Sequence, residues 1–215
     1  MAKKAAVVLA GCGVFDGSEI HEAVITLLNL QRRGVEVSFF APDVAQADVV
    51  DHSKGEGMQP SRNVLVESAR IARGNIAPLS EFDAKEFDLL VFPGGFGAAK
   101  NICTFAFDGI NCNVNQDAVV AIKAMLAERK PIGFVCIAPV IAAKVIADGV
   151  KITIGNDVST ADAIRAMGAE HIDCSSTDFV KDETKNIYST PAYMLASTTA
   201  ELDEGIGKMI EAMLK

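Results

Sequence analysis

Pro131-Ile132-Gly133-Phe134-Val135-Cys136-Ile137-Ala138-Pro139 is the stretch that decides how this chain is read. Ile132 to Val135 is a short apolar run of the kind a buried strand shows. Pro139 suits the first turn of a helix, where its missing N–H costs nothing. Val140 to Ala147 then continues with helical apolar content. Cys136 therefore falls at a strand-to-helix corner. Such a corner presents a side chain at the rim of a sheet, near the positive end of a helix dipole, which favours a thiolate. Two readings fit these residues alone: a nucleophile elbow, or a buried and inert cysteine.

The rest of the chain repeats this strand-then-helix pattern. Residues 5–10 form a continuous apolar run, typical of a parallel strand covered on both faces. A glycine-rich turn follows over Gly11 to Gly17. Asp16 or Ser18 is placed to cap the next helix, and Asp16 and Glu19 have capping-box spacing. Ile20, Val24, Leu27 and Leu28 give that helix an apolar stripe, closed by Arg32, Arg33 and Gly34. Val35 to Phe40 reads as a second strand. Further on, Ser61 to Arg73 reads as a helix, Asp88 to Phe92 as a strand, Gln116 to Glu128 as a helix, Lys151 to Ile154 as a strand and Thr160 to Met167 as a helix. Phe179 to Ser189 reads as a hairpin, and Leu195 to Leu214 as a helix weakened around Gly205 and Gly207. The alternation predicts an α/β fold with a doubly wound, mostly parallel sheet. With no repeat or linker in sight, residues 1–215 are expected to form a single domain.

Composition narrows the function classes. The chain has 215 residues, half of them hydrophobic, and a net charge of −8. Its mean hydropathy is +0.26. No apolar run reaches the roughly 18 residues that mark a membrane-spanning helix, so no membrane is expected. The acidic balance argues against nucleic acid, which needs a positive patch. Met1 to Ala10 reads better as the approach to a first strand than as a signal peptide. The five cysteines, Cys12, Cys103, Cys112, Cys136 and Cys174, are odd in number and scattered. They are expected to be reduced thiols of a cytoplasmic protein.

In an open parallel sheet, sites form beyond the carboxyl ends of the strands. Three features fall on that edge: Gly11 to Gly17, Pro93-Gly94-Gly95-Phe96-Gly97, and Cys136. The N–H groups of Gly94 and Gly95, with that of Ile137 at the helix start, are candidates for holding an oxyanion. Glu22 lies one turn into the first helix among Ile20, Ala23, Val24 and Ile25. A carboxyl against an apolar wall has a raised pKa, and so suits a hydrogen bond to a thiolate or general acid–base work. Gly11-Cys12-Gly13 through Gly17, with Asp43, loosely mimics a dinucleotide fingerprint, but the third glycine is one residue late. His171 and Cys174 lack the further ligands a metal site needs. No metal and no cofactor are expected.

Four segments together resemble the ThiJ/PfpI superfamily, whose fold is flavodoxin-like and class I glutamine-amidotransferase-like. They are Gly11 to Ala23, Phe92 to Asn101, Gly133 to Pro139 and Thr190 to Leu195. The first and last are similar to the ElbB branch, described as isoprenoid-biosynthesis-associated or glyoxalase proteins. The resemblance implies that Cys136 is the elbow nucleophile, that Glu22 is the carboxyl touching its sulfur, and that Gly94 and Gly95 belong to the oxyanion loop. It also implies a homodimer. The sequence departs from the amidotransferase pattern in having Ile at 137 and no histidine in Ile152 to Asp157. A Cys–Glu pair without an imidazole suits an aldehyde better than an amide, because no poor leaving group must be protonated. The expected activity is therefore glyoxalase-like, converting glyoxal or related 2-oxoaldehydes to 2-hydroxy acids without glutathione. The rival expectation is a redox-sensing or non-catalytic cysteine protein linked to isoprenoid metabolism, with Cys12 as a second thiol near Cys136.

Overall fold

The computed structural model describes residues 2–215. In chain order the first elements are β1 (Lys4–Val8), α1 (Ile20–Arg32), β2 (Glu36–Ala41), β3 (Val50–Asp51), β4 (Glu56–Gly57), α2 (Val64–Ile71), β5 (Ile76–Pro78) and β6 (Leu89–Phe92). A π-helical turn over Ala98–Ile102 leads to α3 (Phe105–Asp108), α4 (Gln116–Ala127), β7 (Ile132–Val135) and α5 (Pro139–Val145). The last are β8 (Lys151–Ile152), α6 (Val158–Ala166), β9 (Glu170–His171), β10 (Val180–Asp182), β11 (Ile187–Thr190) and α7 (Thr199–Met213).

Seven strands form the main sheet in the order β10-β11-β7-β6-β1-β2-β5. All neighbours are parallel except the β10–β11 hairpin. The period-two alternation of a strand explains why the central ones are apolar throughout. Ala6 and Val8 of β1, Leu90 and Phe92 of β6, and Ile132 and Phe134 of β7 face one core, shared with Ile122 and Met125 of α4 and Ile141 of α5. Ala5, Val7, Leu89, Val91 and Val135 face the other, shared with Ala23 and Leu30 of α1 and Leu202, Ile206 and Ile210 of α7. Each such leucine or isoleucine contributes roughly 1.5–3 kcal/mol on full burial. The fold is thus the doubly wound, flavodoxin-like one, with helices on both faces.

Several local expectations are corrected. The N-cap of α1 is neither Asp16 nor Ser18 but Glu19, whose carboxylate accepts the Glu22 N–H at 2.7 Å. Ser18 accepts from Ala10 N–H, and Asp16 from Val50 N–H. The strand expected over Lys151–Ile154 ends at Ile152 and pairs with β9 outside the main sheet. Beyond it, the N–H groups of Thr153, Ile154 and Gly155 are taken by Ser189, His171 and Thr153 side chains. Edge strand β5 carried no pattern strong enough to be read. Helix α7 runs unbroken through Gly205 and Gly207. Both lie where a Cβ would strike a neighbour, the Ser176 carbonyl for one and the Asn29 amide oxygen for the other. They are close-approach positions, not a break. Asp182, the last residue of β10, is buried, and its carboxylate accepts from Lys151, Thr184 and Lys185 N–H groups.

Candidate active site

Cys136 is the residue immediately after β7, at the carboxyl edge of the sheet. Its φ is 61°, in the left-handed region. For a residue with a Cβ this costs on the order of 1 kcal/mol or more, and it persists because the surroundings hold it. Its N–H donates to the Thr190 carbonyl at 2.9 Å, tying the turn to the end of β11. Pro139 then opens α5. This is the sharp strand-to-helix turn of a nucleophile elbow.

Glu22 reaches the same point from α1. It is fully buried. Gly94 N–H donates to its Oε2 at 3.0 Å and Tyr193 N–H to its Oε1 at 3.2 Å. Its carboxyl also shares a hydrogen bond with the Cys136 thiol. The N–H groups of Gly95 and Ile137 lie beside the Cys136 sulfur and act to lower its pKa. The two glycines therefore differ in role: Gly94 holds the carboxylate, and Gly95 with Ile137 serves the sulfur. Gly94 has no alternative, because a Cβ there would fall on the Cys136 Cβ and on Glu22 Oε2.

Burial controls the electrostatics. It pushes the Glu22 carboxyl up from 4.5 to about 8, with the neighbouring Glu19 charge adding to the effect. Burial likewise pushes the Cys136 thiol upward, followed by the negative charge of Glu22, while the Gly95 and Ile137 N–H groups oppose the rise. The helix dipole expected to favour the thiolate is thus outweighed. Desolvation and like charge keep the pair from holding two negative charges together, so the two groups titrate as a unit.

Above the pair lies a cavity of about 350 Å³. Its wall is mostly apolar, with Val14, Phe96, Ala99, Phe105, Ile137 and Met194, and Glu19 and Tyr193 supply polar groups. No histidine is among its lining residues. His21 stands behind that wall, its Nδ1 2.8 Å from the hydroxyl of the lining residue Tyr193. His171 is a core residue whose Nε2 accepts Ile154 N–H.

Cys12 is not brought to Cys136. It does not line the cavity, and its charged neighbours are Arg70 and Glu67 of α2 together with Asp16. The dinucleotide-like loop is also occupied by itself. Gly17 N–H donates to Gly13 O, Gly13 N–H to Ser18 O, and Gly11 N–H to the Ser68 hydroxyl, which leaves these donors unavailable to a phosphate. Three contributors escaped the sequence reading. Glu19 stood out in the sequence only for its capping-box spacing, and it is buried beside the cavity. Thr190 and Tyr193 act through backbone atoms, which carry no residue-type signal. No group of metal-ligating side chains occurs among the described residues.

A parallel sheet with an elbow cysteine and an oxyanion-type pair of N–H groups defines a class I amidotransferase-like protein. Residues 3–191 match the DJ-1/PfpI family, and the chain belongs to it. The rat protein named "ES1 protein homolog, mitochondrial" is 47% identical over 99% of this chain and 83% of its own length. The human "Glutamine amidotransferase-like class 1 domain-containing protein 3, mitochondrial" is 46% identical over 100% of this chain and 83% of its own length. A crystal structure of an isoprenoid biosynthesis protein with amidotransferase-like domain from Ehrlichia chaffeensis superposes with a TM-score of 0.91 at 42% identity, covering 98% of each chain. The cytoplasmic expectation is overturned: these curated relatives are mitochondrial by name. Free thiols report a reducing environment, and that does not single out the cytosol. The cysteines are indeed free.

Proposed function

We propose that the chain is a glutathione-independent glyoxalase-type lyase acting on glyoxal, methylglyoxal or a related 2-oxoaldehyde. The observation carrying this reading is the buried Glu22–Cys136 pair under an apolar cavity with no imidazole in its wall. The Cys136 sulfur adds to the aldehyde carbon, its proton passing through Glu22 to the aldehyde oxygen, which leaves a neutral hemithioacetal and Glu22 again as a carboxylate. The Gly95 and Ile137 N–H groups hold the oxygen as it gains charge. Glu22 then removes the proton from the former aldehyde carbon to give an enediol, and a proton that has exchanged with solvent is delivered to the neighbouring carbon. The product is a thioester of the 2-hydroxy acid, and water cleaves it to the acid and the free thiol. Aldehyde plus water thus equals 2-hydroxy acid, with no external oxidant or cofactor.

The test is turnover of methylglyoxal by purified protein without glutathione, run in deuterated water. Deuterium at the hydroxyl-bearing carbon of lactate, and loss of turnover in Cys136→Ala, are the expected results. Undiminished turnover in Cys136→Ala removes the proposal. Residues 1–215 act in this reading as one catalytic unit, paired as a homodimer. In support of pairing, Ile20, Val24 and Leu28 leave an apolar stripe at four-residue spacing exposed on α1.

A further inference from the structure

Cys103 and Cys112 are the one pair of cysteines that the fold brings together outside the Cys136 site. The chain leaves the π-helical turn at Cys103, makes the short helix α3, and returns. Cys103 forms an isolated antiparallel bridge with Val114. Thr104 N–H donates to Asn113 O at 2.9 Å and Asn115 N–H to Ile102 O at 2.7 Å. This sets Cys112 diagonally opposite Cys103 and on the same side of the bridge, where side chains of facing segments meet. Both cysteines are buried, at 2% and 1% exposure, although the loop between them is largely exposed. The Cys103 thiol donates to the Ala98 carbonyl at 3.3 Å. The neighbouring Cys103 thiol lowers the Cys112 pKa, helped by the Lys144 charge and opposed by burial and Asp108. Lys144 is anchored close by, its Nζ 3.0 Å from Ile110 O. The enclosed loop supplies Phe105 and Ala106 to the wall of the Cys136 cavity.

We propose that Cys103 and Cys112 are a second redox site, a dithiol that a hydroperoxide closes to a disulfide, stiffening the loop that walls the Cys136 cavity. The Cys112 thiolate attacks one peroxide oxygen and breaks the O–O bond, giving a sulfenic acid and, with a proton, water. The Cys103 sulfur then attacks the Cys112 sulfur, its proton leaving with the hydroxyl as a second water. Two thiols and one hydrogen peroxide thus give one disulfide and two waters. A small oxidant is required, since neither sulfur is open to a bulky one. The proposal does not depend on what Cys136 catalyses.

The Cys136→Ser protein, in which the thiol of the candidate active site takes no part in the reaction, tests it. After stoichiometric hydrogen peroxide, catalase and alkylation, the tryptic peptide spanning 101–123 holds both cysteines. The expected peptide lacks two hydrogens, carries no alkyl label, and reverts with dithiothreitol. Amide exchange over 104–111 is expected to slow about tenfold in the oxidised protein, since cross-linking raises the cost of local opening. Adding Cys112→Ser is expected to abolish both changes, and Cys103→Ser serves as the reciprocal control. Free, alkylated cysteines in this peptide after peroxide overturn the proposal. So does sulfinic acid at Cys112 without linkage. A disulfide that leaves exchange over 104–111 unchanged overturns the stiffening.

Discussion

At Glu22 and Cys136, desolvation and hydrogen bonding pull against each other. The Glu22 carboxylate accepts two N–H groups yet lies fully out of water, and burial wins. Because its folded pKa is raised, the sign is definite: the folded state binds a proton that the unfolded state has released between about 4.5 and 8. Stability is therefore complete below 4.5 and falls as pH rises toward 8. Across that window each pH unit removes about 1.4 kcal/mol. Thermal melts from pH 5 to 8 should show a falling midpoint, and Glu22→Gln should flatten that slope. The same ionisation governs the proposed chemistry, since Glu22 must be charged to take the thiol proton. Accordingly, kcat/KM for methylglyoxal should rise with pH up to about 8 and lose at least a hundredfold in Glu22→Gln, in the range general-base catalysis supplies. Tyr193→Phe is a contrasting case. It removes the hydroxyl that meets His21, while the backbone N–H that holds Glu22 remains. Its activity should stay within about threefold of wild type, because the loss is one exposed neutral hydrogen bond of about 1 kcal/mol or less.

At the scale of elements, the legible features were those written in side chains. The apolar runs of β1, β6 and β7 gave strands in their expected places, and the Cys136 corner followed from Val135 and Pro139. What escaped was set by neighbours. Gly205 and Gly207 looked like a helix break because glycine is a poor helix former. They are retained where α7 meets the Ser176 carbonyl and Asn29 of α1. Filling that space should be destabilising in spite of the gain in helix propensity. Gly207→Val is expected to cost about 1–3 kcal/mol by overpacking, read as a lower urea midpoint with an unchanged slope. The same logic explains Glu19, whose capping bond to Glu22 N–H takes over a role expected of Asp16 or Ser18. Capping-box spacing is present, but the Asp16 carboxylate accepts instead from the Val50 N–H at the start of β3.

The whole molecule carries a sheet with both faces covered and its chemistry at one edge. Elements far apart in sequence converge there because parallel strands all end on the same side. Glu22 comes from α1, Gly94 and Gly95 follow β6, Cys136 follows β7, and Tyr193 follows β11. At this scale the exposed stripe of α1 is also testable. If Ile20, Val24 and Leu28 form the homodimer face, Val24→Asp should give a monomer in sedimentation velocity while leaving the melting midpoint of the reduced chain within a few degrees. Val24 is 46% exposed in the single chain, so the charge meets water and not core.

Local pattern sufficed for the alternation of elements and for the elbow around Cys136. Adding the rule that parallel strands present their carboxyl ends together was enough to bring Gly94, Gly95 and Ile137 to the edge that carries Cys136, whereas the pairing of Glu22 with the sulfur rested on the family resemblance. How charge is shared there depended on the folded chain. A helix start argued for a thiolate, whereas full enclosure raises both groups and leaves them competing for one charge. Desolvation depends on what packs around a group from every side. A pattern along one chain segment records only the side chain itself, which is why the burial of Glu22, the isolation of Cys12 and the meeting of Cys103 with Cys112 appear only once the chain is folded.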